Sequence, residues 1–105
     1  MKPLRMSEIT PSSGNVFLDL GFGAEEAAHL ELRSSLMFTI RKLMQDRKLT
    51  QIKAAQLFGV TQPRISDLVR GRVDLFSSDS LVDMLARAGV RVDVSCSPAL
   101  ERGAA

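Results

Sequence analysis

From Thr50 to Gly71 the apolar positions follow a helical period, break once, and resume. Ile52, Ala55, Leu57 and Phe58 line one face of a short helix that Thr50 caps through its hydroxyl and Gly59 ends. Thr61 offers a second cap, and Pro63 falls in the next helix's first turn, where its missing N–H costs little. In that second helix Ile65, Leu68 and Val69 face inward while Pro63, Ser66, Asp67 and Arg70 face out. A longer helix precedes the pair, roughly Ala24 to Arg47, with Glu25 and Glu26 in its first turn and Arg47 and Lys48 near its end. Ala28, Leu32, Leu36, Ile40 and Leu43 form its main apolar face. Leu30, Met37 and Met44 form a second row a quarter turn away, which either widens the core contact or offers an adaptable docking face to another chain.

Beyond Gly71, residues 72–76 read as a connection, and Ser77 or Ser78 caps a further helix. Leu81, Val82, Met84, Leu85 and Ala88 face the core of that helix, and Gly89 ends it. The period then changes: Val90, Val92 and Val94 alternate with Arg91, Asp93 and Ser95, predicting a half-buried strand over 90–95, before Pro98. A single strand cannot satisfy its own backbone. Its partner is either the segment from Asn15 to Leu20 or the same strand of a second copy; the latter, which would make an antiparallel symmetric dimer, is preferred. Val16, Leu18 and Leu20 alternate weakly, predicting a short strand or an extended arm. Residues 1–14 and 98–105 are expected to be disordered tails around a domain spanning 15–97.

The pairing of two short helices through a glycine elbow, with Val60 plugging the bend and Ala55 allowing close approach, describes a helix-turn-helix motif. At Leu49-Thr50-Gln51, Ala55, Gly59-Val60, Gln62, Ile65-Ser66, Leu68 and Gly71 the sequence resembles the XRE or Cro-type family of phage repressor-like DNA-binding proteins. The resemblance implies a mainly α fold: a lambda repressor-like bundle of about four helices, here with a short C-terminal β-strand. The small chain looks closer still to HigA-like antitoxins, through Asn15-Val16-Phe17, Phe76-Ser77, Leu81, Leu85, Gly89 and the terminal valines. That likeness implies a protein that represses its own operon and neutralises a RelE or HigB-like ribonuclease toxin. The alternatives are a stand-alone regulator without a toxin partner, and a protein-interaction module that does not bind DNA.

A net charge of +2 becomes informative once it is divided along the chain. Residues 41–72 carry eight basic and two acidic side chains, whereas the flanking segments each carry three basic and five acidic ones. Positive charge is thus concentrated around the motif, as expected of a face that meets phosphate. The rest of the composition excludes more than it adds. A length of 105 residues suits one small domain with a modest core, and the absence of a long apolar run predicts no membrane span or secretory signal, hence a cytoplasmic location. Cys96 and His29 are each the single residue of its type, so no disulfide, metal cluster or cofactor is expected. No nucleophile has a base at recognisable spacing and no glycine-rich phosphate loop occurs, so an enzyme is not expected.

The helix beginning at Gln62 is therefore expected to enter the major groove of double-stranded DNA, with Gln62, Pro63, Arg64, Ser66 and Asp67 at the base edges. A Gln amide suits adenine and a guanidinium suits guanine. Thr50, Gln51, Lys53, Thr61, Arg70 and Arg72 are the expected phosphate contacts. A homodimer reading an inverted repeat would use Val90, Val92 and Val94, or the row of Leu30, Met37 and Met44, at an interface with its second copy or another partner.

Overall fold

Twenty-three residues free of proline and glycine, Ala24–Asp46, build the spine on which the other helices pack. The structure, a computed structural model, describes residues 4–5 and 16–98. Its elements run in the order β1 (Leu4–Arg5), α1 (Val16–Asp19), α2 (Ala24–Asp46), α3 (Gln51–Phe58), α4 (Gln62–Val69), a 3-10 turn (Val73–Leu75), α5 (Ser78–Arg87) and β2 (Val92–Asp93).

Local chemistry sets the helix boundaries. The Thr50 hydroxyl accepts from the Lys53 N–H at 3.1 Å and starts α3, and the Ser77 hydroxyl does the same for the Ser80 N–H, at 3.1 Å, to start α5. Thr61 departs from expectation: its side chain makes no capping bond, and only its carbonyl receives the Arg64 and Ile65 N–H groups. Pro63 still favours initiation there, because its fixed φ suits a first turn. At the C-terminal ends, α1, α3, α4 and α5 each turn out through a glycine of positive φ, namely Gly21, Gly59, Gly71 and Gly89. Helix α2 does so through Lys48, at φ 52°, with the Lys48 N–H bonded to the Gln45 carbonyl and the Leu49 N–H to that of Met44.

The core lies between α2 and the other helices. Leu36, Met37, Ile40 and Met44 of α2 meet Phe58 of α3, Ile65 and Leu68 of α4, and Leu81, Met84 and Leu85 of α5 in one buried cluster that Phe76 and Val90 complete. The burial resolves the two rows of α2. Met37 is 2% exposed and Met44 8%, and Leu30 is buried with them, whereas Ala28 is exposed and Leu32 only half-buried. The second row thus widens the core contact of α2 beside Leu36 and Ile40, and Met44 also reaches the edge of an open surface trough. Thr39, also buried on α2, is satisfied by donating its hydroxyl to the Ser35 carbonyl at 3.1 Å. Three motif positions also differ from expectation. Ala54 is the fully buried small residue of α3, with Ala55 half-buried, while Ile52, at 58%, and Val69, at 43%, are exposed.

Around this core the termini differ from expectation. Val16–Asp19 is one helical turn, not a strand or extended arm: the Gly21 N–H reaches the Leu18 carbonyl, the Phe22 N–H reaches that of Phe17, and the two rings meet edge to face at 6.0 Å. The C-terminal strand shrinks to Val92–Asp93 and pairs in parallel with β1, Leu4 opposite Val92 and Arg5 opposite Asp93. Within the chain its partner is thus β1 and not the segment from Asn15 to Leu20. Val90 belongs to the core and Val94 is exposed, so the three valines do not form one interface strip. The expected disordered tails fall on residues of which only 4–5 and 98 are described.

Candidate nucleic-acid interface

Helix α4 is amphipathic by construction. Ile65 and Leu68 are fully buried against the core and fix its rotation, which leaves Gln62, Pro63 and Arg70 exposed and Ser66 and Asp67 half-exposed on the outer side. Proline at the start and glycine just after the end keep the helix to eight residues. The turn before it is equally determined: a Cβ at Gly59 would meet Cδ of Arg87 at 2.5 Å, and its φ of 72° suits glycine.

Of the five side chains expected at base edges, four lie on or beside that outer face. Arg64 does not. Its guanidinium is folded back over the Phe76 ring, 4.2 Å from the centroid, and Nη1 donates to the Leu75 carbonyl at 3.0 Å. It ties the first turn of α4 to the 3-10 turn and the start of α5. Reaching a base would require giving up both contacts, so Arg64 acts in this structure as a strut. Asp67 forms no ion pair with Arg64 or Arg70 among the described residues.

The expected phosphate contacts are distributed around α4. Thr50 and Lys53 are exposed and Gln51 is half-buried at the start of α3, where unpaired backbone N–H groups and the helix dipole favour an anion. Thr61, Arg70 and Arg72 are exposed at the two ends of α4, Arg72 lying 3.6 Å from Asp74 in a solvent-exposed pair. Between α2 and these helices lies an open trough of about 740 Å³ that sequence periodicity did not locate. Phe38, Leu49 and Val69 supply its apolar lining, and Arg41, Lys42 and Lys48 its positive charge. The positive surplus of residues 41–72 was the signal for it, but a charge count carries no direction. His29 and Cys96 are exposed, and no group of metal-ligating side chains occurs among the described residues. Nor is any helix among them long and apolar enough to cross a membrane.

Comparison with known proteins agrees with this geometry. No curated protein matches the chain. A family model described as a helix-turn-helix domain matches residues 16–97, from the first turn of α1 past the end of β2. The match covers most of the chain and centres on a buried helix pair whose second member turns a polar face outward: the chain belongs to the helix-turn-helix domain family.

Proposed function

We propose that this protein is a sequence-specific DNA-binding repressor that lays α4 in the major groove. Membership of the helix-turn-helix family points to DNA binding and transcriptional regulation. The single observation that carries the finer reading is the rotation of α4: burial of Ile65 and Leu68 directs Gln62, Pro63 and Ser66 outward together. Gln62 and Ser66 then read base edges, Pro63 supplies apolar contact, and Asp67 serves as an acceptor at the same edge. Thr50, Gln51, Lys53, Thr61, Arg70 and Arg72 hold the flanking phosphates. Two copies side by side would read an inverted repeat, and such a dimer need not pair through β2, which already pairs with β1 in its own chain.

Selection of duplexes from a random pool, followed by footprinting, tests the reading. Enrichment of a short inverted repeat, protected at moderate salt against random competitor, is expected; recovery of unrelated sequences bound no better than the starting pool refutes it. The antitoxin role rests on the likeness to HigA-like proteins alone. It adds a small ribonuclease partner, and co-expression with a RelE or HigB-like protein encoded beside the gene should then yield a stable complex that fails to cleave RNA.

A further inference from the structure

We propose that the trough between α2 and the end of α4 is a second DNA contact that takes a stretch of sugar–phosphate backbone, with Lys48 positioned there at a cost to the fold. The inference deepens the DNA-binding reading above and rests on it.

The first observation is the trough's composition. It is wide enough, at about 740 Å³, for several heavy groups, and Arg41, Lys42 and Lys48 charge its rim while Phe38, Leu49 and Val69 leave an apolar lining. Lys42 is 3.6 Å from Asp46, an exposed pair, but neither Arg41 nor Lys48 is in an ion pair among the described residues. Cations over an apolar floor suit a ligand that alternates anionic phosphates with the apolar face of a deoxyribose.

The second observation is the conformation of Lys48. Among the described residues all five helices turn out through a residue of positive φ; four use glycine and α2 uses Lys48, the one non-glycine residue there with such a φ. Glycine suits this position because a Cβ is crowded in the left-handed region. A lysine at the corresponding position of α2 therefore sacrifices fold stability, and its side chain lines the trough.

Continuity with α4 chooses the occupant. Val69 of α4 and Gln51, the first residue of α3, both line the trough, and Arg41 Nη1 lies 3.6 Å from where a Cβ on Gly71 would sit, just past the end of α4. A strand flanking the groove that α4 enters would run onto these residues. An acidic protein segment would match the charge but has no such continuity.

The test measures anisotropy of the full chain with a selected duplex and with a shuffled duplex of equal length, across a salt series. Lys48→Gly is expected to raise the thermal midpoint, to weaken both duplexes by the same factor, and to lower the slope of log affinity against log salt by about 1. Arg41→Gln is expected to have the same effect on both duplexes. Wild-type affinity and slope in both variants would overturn the proposal while leaving the reading of α4 intact. So would unchanged duplex binding with lost binding of poly-glutamate, which would make the trough a protein-docking site. Failure of the wild-type chain to bind either duplex would overturn the DNA-binding reading itself.

Discussion

Arg64 has a long stem and a planar charge well suited to guanine, but its guanidinium is engaged twice, by the Phe76 ring and by the Leu75 carbonyl. Those contacts fasten the first turn of α4 to the 3-10 turn and to Phe76 just after it, the end that base reading by α4, as proposed, needs held still. Arg64→Ala is expected to lower stability by about 1 to 2 kcal/mol in urea unfolding, from the lost cation–π contact and hydrogen bond, and to weaken selected and shuffled duplexes alike through a loosened α4. Unchanged stability, with specificity lost at one base pair, would return Arg64 to the base edge. The sequence could not make this distinction. Spacing placed Arg64 on α4, but its direction depends on Phe76, twelve residues later, whose side chain is buried in the core cluster. Gln62, Pro63 and Ser66 were legible because burial of Ile65 and Leu68 alone fixes where they point.

At the scale of elements, Gly59 sets the angle between α3 and α4. Gly59→Ala is expected to cost about 1 to 2 kcal/mol in thermal or urea unfolding, mainly because φ of 72° crowds a Cβ against the backbone. Arg87 is a flexible side chain and can move aside, so adding Arg87→Ala should recover little of that loss; full recovery would show that contact, not backbone strain, fixes the glycine. Met37→Lys tests the resolved face of α2. It places a charge in the single-chain core and should abolish the cooperative unfolding transition in circular dichroism; a folded variant with only weaker self-association would restore the docking alternative. Element ends marked by Thr50, Gly59, Gly71, Ser77 and Gly89 could be read directly, since a cap or a left-handed turn is local chemistry. The phase of α2 could not. Leu36, Met37, Ile40, Leu43 and Met44 form an arc too broad to show its own centre, and all five belong to one buried cluster. Val16–Asp19 misled for a different reason: four residues are too few for a period of two to differ from one of 3.6. The partner of β2 was hidden as well, because it involves only Leu4 and Arg5 in a stretch with no pattern.

Over the whole molecule, Arg41, Lys42 and Lys48, three of the basic residues in the positive surplus of 41–72, line the trough that Gln51 of α3 and Val69 of α4 share. The acidic flanking segments then limit attraction elsewhere, so affinity should fall steeply with salt while discrimination between sequences, carried by uncharged Gln62 and Ser66, should change little. That separation places the central claim, that the outer face of α4 reads base edges, within reach of one comparison. Gln62→Ala is measured against a selected duplex and its shuffled counterpart at a single salt concentration. Loss of about 1 to 3 kcal/mol of affinity for the selected duplex, at one base position and with the shuffled duplex unaffected, is the expected result. An equal loss on both duplexes, or no loss on either, would contradict it.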